Sequence, residues 1–261
     1  MEQQIQLPTG SVGVSSYGSG PPLVLLQRDV VAPIDNPYVA ALAERHEVHV
    51  VDVPGFGRSP RPPWTRTVTH LATLVGQAMD VLDLDRPSLV GLGFGGWVAA
   101  DLATQGDSRI GRLVLVSPWG VKPTSGEVTD FVLLSLTEWA ALGFHDPENY
   151  TNACGLDPEP ELLRNWDSAR ESVTAVAWKP IGHSRHLPPM LGFVQIPTLI
   201  LWGGEDAIVP ASCAADWATA LPQATVKTLP NAGHQVDLEA TSQLAEATLE
   251  FIRSDQILQV S

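Results

Sequence analysis

Acid–base chemistry in this sequence centres on one of its 7 histidines. His234 closes the motif Asn231-Ala232-Gly233-His234, directly before a helical pattern. Imidazole suits proton transfer because its ordinary pKa is about 6.5. A carboxylate, Asp206, lies in Gly203-Gly204-Glu205-Asp206-Ala207-Ile208-Val209-Pro210, directly after a strand-like run. By itself such a loop acid reads as a cap for the helix near Ala211. The third segment is the glycine-rich turn Val90-Gly91-Leu92-Gly93-Phe94-Gly95-Gly96, between a strand and a helix. Its central residue, Gly93, brings no hydroxyl, thiol or carboxylate. The glycine spacing is not that of a dinucleotide loop, and the turn falls late in the sheet pattern. Ser117, at another strand end, is a spare hydroxyl with no base placed beside it by any motif. His183 and His186 stand at i, i+3, but the prolines around them and the lack of a neighbouring acid speak against a metal site. Asp101 and Glu138 read as charges on helix surfaces.

The elements that must position these residues alternate strand and helix. Leu23–Leu26, Glu47–Val53, Ser88–Leu92, Leu113–Ser117, Thr198–Trp202 and, more weakly, Thr225–Leu229 are short apolar runs bounded by glycine and proline. Continuous Val/Leu runs suit strands covered on both faces. Thr69–Leu82, Gly95–Gln105, Ala211–Ala220 and Glu239–Arg253 read as helices, and Gln4–Gly18 as an antiparallel hairpin. The alternation predicts an α/β fold with a mostly parallel central sheet flanked by helices. From Trp119 to Ile196 the strand pattern stops, with helical patterns at Val128–Leu142 and Pro160–Trp178. A helical insertion of this kind predicts a cap (119–196) set into a core made of 1–118 and 197–261. Its aromatics, Trp119, Phe131, Trp139, Phe144, Trp166 and Trp178, predict an apolar pocket roof.

With Asp52-Val53-Pro54-Gly55-Phe56-Gly57-Arg58-Ser59 added after the second buried strand, these segments resemble the α/β-hydrolase superfamily over essentially the whole chain. The resemblance implies the α/β-hydrolase fold, with a helical lid. It implies that His234 is the base and that Asp206 orients it and stabilises its charged form. It also implies that Gly91-x-Gly93-x-Gly95 is the G-x-S-x-G elbow, so that glycine stands in the nucleophile position. A second departure follows the first buried strand. Where the superfamily commonly has His-Gly-X, this chain has Gln27-Arg28-Asp29. The backbone N–H groups of Asp29 and Phe94 are then the candidates for binding an oxyanion. Gln27, Arg28 and Trp119 are candidates for binding substrate, with Arg28 either cationic in the site or paired with a surface acid. Asp29 would be an unexpected carboxylate at the pocket mouth.

Composition narrows the partners. The 261 residues carry 15 Lys+Arg against 29 Asp+Glu, a net charge of −14. That argues against nucleic acid and against an anionic membrane surface. With 44% hydrophobic and 17% charged residues the chain is neither disordered nor of low complexity. Two cysteines, Cys154 and Cys213, form no framework or zinc spacing. No charged start or apolar run marks Met1–Gly10 as a signal peptide, so a cytoplasmic protein is expected. No cofactor loop or metal cluster is read, and the oligomeric state is not legible.

A serine hydrolase stripped of its nucleophile loses about 10⁶ in kcat. The residues therefore point first to an enzyme acting on a small, largely apolar carbonyl compound by non-covalent chemistry with the His234/Asp206 dyad. Hydrolysis by activated water, C–C cleavage, elimination and cyclisation all fit. Arg28 or Arg185 is a candidate to hold the carbonyl or a carboxylate. The alternatives are a catalytically retired homologue that binds a small molecule, and an ordinary serine hydrolase with serine changed to glycine to trap a ligand.

Overall fold

A computed structural model describes residues 1–30, 36–106 and 110–253. The described strands form one eight-stranded sheet in the order β1-β2-β4-β3-β5-β6-β7-β8. The strands β1 (Glu2–Leu7) and β2 (Gly10–Tyr17) make the expected hairpin, and β2 pairs antiparallel with β4 (Glu47–Val51). All the remaining pairs are parallel, through β3 (Pro22–Leu26), β5 (Ser88–Leu92), β6 (Arg112–Val116), β7 (Thr198–Gly203) and β8 (Ala224–Leu229). The apolar runs are buried because helices cover both faces. Alternate residues of one strand enter two different cores: Val24 and Leu26 face one, Leu23 and Leu25 the other. The first core is closed by α2 (Val68–Leu82) and α3 (Phe94–Thr104), the second by α1 (Pro37–Ala43) and α10 (Thr241–Arg253).

Between β6 and β7, residues 119–196 add no strand to the sheet. The expected helix over Val128–Leu142 is instead a single 3-10 turn at Phe131–Leu133 followed by α4 (Leu136–Leu142). Ser135 restarts the helix: its hydroxyl accepts the Glu138 N–H while the Glu138 carboxylate takes the Ser135 N–H, a reciprocal cap. Glu138 thus has a local structural task. Next come α5 (Pro147–Cys154), α6 (Pro160–Ala177) and the short α7 (Leu187–Leu191). The aromatics of this stretch join the first core, with Trp119, Phe131, Trp139 and Trp166 all buried beside Phe94 and Trp97. Trp178 does not join them; it is 48% exposed.

Near the C-terminus α8 (Cys213–Ala220) starts two residues later than its pattern suggested. The pattern over Glu239–Arg253 breaks at Ala240, leaving a single-turn α9 (Val236–Glu239) ahead of α10. Asp101 is buried at 8% exposure, not a surface charge, and accepts the Thr69 hydroxyl at 3.1 Å. Cys154 and Cys213 are free and buried. Among the described residues, no helix is long and apolar enough to cross a membrane and no group of three or more potential metal ligands is found.

Candidate active site

Five parallel strands deliver their carboxyl ends to one place, the usual ligand edge of an open α/β sheet. From β3 come Gln27, Arg28 and Asp29; from β5, Gly93 and Phe94; from β6, Trp119. The turn after β7 brings Asp206, and the turn after β8 brings His234.

The β7 and β8 turns build an oriented base. The Nδ1 of His234 lies 2.8 Å from Asp206 Oδ2. The other carboxylate oxygen of Asp206 accepts the backbone N–H groups of Ile208 and Val209, each at 2.9 Å, so the acid is fixed from two sides. The opposite ring nitrogen, Nε2, accepts the indole N–H of Trp119 at 3.3 Å. Indole only donates. That bond therefore makes Nε2 the lone-pair nitrogen and leaves the proton on Nδ1, facing Asp206. A second carboxylate holds the loop itself. Glu239 accepts N–H groups from Gly233 at 2.7 Å and from His145 and Asp146 at 2.9 Å, tying the histidine turn to the α4–α5 connection.

The β3 and β5 ends build something different. Gly93 has φ +51° and ψ −118°, a conformation that costs a residue with a side chain about 1–3 kcal/mol. A β-carbon added there would lie 2.9 Å from His234 Nε2, 3.0 Å from Arg28 Cβ and 3.2 Å from Asp29 Oδ1. The space is thus lined by the imidazole and a carboxylate. Gly95 allows β5 and α3 to close against β3: a β-carbon would sit 2.5 Å from the Leu26 carbonyl oxygen.

The Arg28 side chain does not enter the site, nor does it meet a surface acid. It runs beneath the histidine loop at 2% exposure, where Nη1 donates to the His234 carbonyl at 2.6 Å and Nη2 pairs with buried Asp237. Asn36 donates to the other oxygen of Asp237 at 2.7 Å. Arg28 is therefore a support for His234, and Gln27, half-buried, approaches the elbow through its backbone carbonyl.

Asp29 is not at a mouth but in the floor, 1% exposed. Its Oδ1 accepts the Phe94 N–H at 3.4 Å, and its own backbone N–H also bonds the carboxyl group. These are the two amides expected to face an oxyanion, and the carboxyl group occupies them. Burial raises its pKa above the usual carboxylate range, against the opposing pull of His234, its own N–H, Arg28 and the Phe94 N–H.

Of the expected roof aromatics, Trp119, Phe131 and Trp139 pack on one another within the first core. Phe94 stacks on Phe56 at 5.6 Å and meets Trp119 edge-on at 6.4 Å, Trp119 contacts Phe131 at 5.3 Å, and Phe131 stacks on Trp139 at 5.2 Å. His234 is consequently only 2% exposed. Phe144 packs instead on Tyr150. Beside the Phe131 turn lies an open cleft of about 560 Å³, lined by Val132, Leu134, Ser135, Arg61, Arg170 and Thr174 among others. The remaining polar candidates fall outside the site. Ser117 Oγ accepts the Gly203 N–H at 3.3 Å, His183 Nδ1 is paired with the Ile181 carbonyl, and His186 and Arg185 are exposed. Sequence reasoning missed Asn36, Asp237 and Glu239. For Asp237 and Glu239 a hint lay in their acid-rich position just after His234, but no spacing rule links them to Arg28 or to residues 145–146.

Comparison with known proteins agrees with this architecture. The chain is 32% identical over 221 residues to the dihydrolipoyllysine-residue acetyltransferase component of the acetoin cleaving system of Pseudomonas putida, covering 82% of this chain and 58% of that protein. It spans 54% of the Cupriavidus necator counterpart, so the match covers a little over half the length of each of these curated relatives. It is 26% identical to the 2-hydroxy-6-oxo-6-phenylhexa-2,4-dienoate hydrolase of Burkholderia cepacia, over 83% of this chain and 79% of that one. In fold it is similar to the meta-cleavage product hydrolase of Pseudomonas fluorescens, with a TM-score of 0.79, 21% identity and coverage of 96% and 97% of the two chains. It is also similar to the bromoperoxidase of Bacillus anthracis, with a TM-score of 0.77, 23% identity and coverage of 97% and 100%. Residues 25–247 match the alpha/beta hydrolase family, and the chain belongs to that family.

Proposed function

We propose that the protein is an enzyme that acts on a small, largely apolar carbonyl compound without forming a covalent intermediate. His234 is the general base and Asp206 its orienting partner. The observation that carries this reading is the placement of His234 Nε2. Nε2 lies 2.9 Å from where a β-carbon of residue 93 would stand and accepts the Trp119 indole N–H, while Nδ1 is held by Asp206. A base so placed can take a proton from water or from a carbon acid at that position. Residues 119–196 act as the lid. Substrate enters from the cleft beside Phe131, and Trp119 gives up its bond to Nε2 as substrate arrives. The relatives that act on small carbonyl compounds, such as the Burkholderia cepacia hydrolase, support the substrate class.

One observation favours a second reading, that of a retired hydrolase acting as a binding protein. The site is saturated by its own groups: Trp119 occupies Nε2 and Asp29 occupies the two amides. An engineered serine-to-glycine trap is the weakest fit, because Arg28 Cβ and Asp29 Oδ1 crowd the position of a serine β-carbon at 3.0 and 3.2 Å. The test is turnover of a panel of esters, lactones and β-diketones by the wild type and by His234→Ala. The enzyme reading expects conversion that the variant loses. Turnover unchanged in the variant rules out the dyad, and recovery of only unconverted ligand by mass spectrometry supports the binding protein.

A further inference from the structure

Asp29 and His234 both approach the position where a side chain at Gly93 would begin, and nothing in the dyad mechanism uses the carboxyl group. We propose that Asp29 is the acid of the reaction: its carboxyl group donates to the carbonyl oxygen of a ketone substrate while His234 takes a proton from the carbon next to that carbonyl. The inference rests on His234 being the base.

Three features of the site carry it. Asp29 Oδ1 lies 3.2 Å, and His234 Nε2 2.9 Å, from the point where a β-carbon of residue 93 would stand, so the carboxyl group and the imidazole converge on one position. The backbone amides that would otherwise hold an oxyanion are already bonded to the Asp29 carboxyl group. Charge developing on a substrate oxygen must therefore be met by the carboxyl group itself. Finally, Asp29 is 1% exposed beneath aromatic rings, and burial favours its neutral, hydrogen-donating form. The charged groups facing it are His234 and Arg28, the latter engaged by Asp237.

The step balances as a proton exchange. The C–H bond breaks and its proton goes to Nε2. The electron pair forms the C=C bond of the enol, and the carbonyl oxygen takes the Asp29 proton. The carboxylate and imidazolium left behind are restored when the protons return. Asp206 stabilises the imidazolium. An acidic C–H beside a carbonyl is the requirement, so ketones are expected to be better substrates than esters, and an aromatic substituent suits the rings above the site.

The probe is phenylacetone in D2O, with loss of its methylene signal followed by proton NMR. The wild type is expected to accelerate exchange. His234→Ala should abolish the acceleration, and Asp29→Asn, which keeps the shape but cannot supply the proton, should slow it about 10²-fold. Phenylacetone affinity, measured by calorimetry, should change less than about threefold in Asp29→Asn. Wild-type exchange in Asp29→Asn together with loss in His234→Ala overturns the role of Asp29 and leaves the base intact. No exchange in the wild type overturns both. A second measurement needs no substrate. In protein labelled with 13C at aspartate carboxyl carbons, the resonance missing from Asp29→Asn should titrate above the ordinary value of about 3.9. Titration at or below it overturns the proposal.

Discussion

The two halves of the site were built by the same sheet edge and came out differently. On the β7–β8 side, Asp206 and His234 form a pair whose every polar contact serves the orientation of one ring: 2.8 Å to the acid, two amides behind the acid, and Glu239 locking the loop. On the β3–β5 side, the elbow keeps its positive-φ corner at Gly93, but a carboxyl group sits on the amides and an arginine braces the histidine loop from below. The two halves can differ in this way because they hang on separate strand ends, an oriented histidine on one and a buried carboxyl group on the other. The bracing arginine is a polar tie that crosses between them, joined by the bonds of Asn36 to Asp237 and of Gln235 to the Val30 carbonyl.

Breaking that tie should have the largest effect. Arg28→Met leaves Asp237 buried and without its partner, which costs about 3–5 kcal/mol. Adding Asp237→Leu removes the stranded charge. Urea unfolding should show the double variant more stable than Arg28→Met alone; equal or lower stability would mean that the pair does not behave as a buried ion pair.

Restoring a side chain at the elbow should have a smaller effect. Gly93→Ser places a β-carbon at positive φ against Arg28 Cβ and Asp29 Oδ1, and is expected to lose about 1–3 kcal/mol. It should not hydrolyse p-nitrophenyl acetate, because Asp29 still fills the amides. Gly93→Ser with Asp29→Ala frees them and should gain measurable hydrolysis. Esterase activity in the single variant would show that the halves are less different than the contacts indicate.

The smallest effect concerns pH. The folded-state pKa of Asp29 is raised by burial, so the folded state binds its proton more tightly than the unfolded chain does. Stability from this group is full below the unfolded value of about 3.9 and is lost as pH rises through the raised folded value. The loss is about 1.4 kcal/mol for each pH unit separating the two. Asp29→Asn removes this dependence. Relative to wild type it should be more stable at pH 7 than at pH 4.5, by thermal unfolding at both; a difference that does not vary with pH would place the Asp29 pKa at its ordinary value.

Legibility in the sequence followed the range of the forces involved. The parallel strands could be read because burial on both faces writes continuous apolar runs such as Leu113–Val116, and the hairpin because it alternates. His234 and Asp206 could be read because loop motifs surround them. Helices α1 and α5 could not: each is only seven or eight residues long, with proline at its first turn and Asn36 or Asp146 as its cap, and two turns carry too little periodicity. The destination of Arg28 was hidden because Asp237 is 209 residues away. Asp29 read as a carboxylate at the mouth, since no local pattern shows that its own backbone N–H and that of Phe94 draw it into the floor. The aromatic roof was legible as composition, but only packing shows Trp119 bonded to Nε2 and Trp178 left outside.

The central claim is that His234 does chemistry here without a covalent intermediate. Intact-protein mass spectrometry during turnover of the best substrate in the ester, lactone and β-diketone panel tests it most directly, with kcat/KM of His234→Ala measured on the same compound. The account predicts an unshifted protein mass throughout and a rate about 10²–10⁴ lower in the variant. A protein mass increased by the acyl part of the substrate, or an undiminished rate without His234, would contradict it.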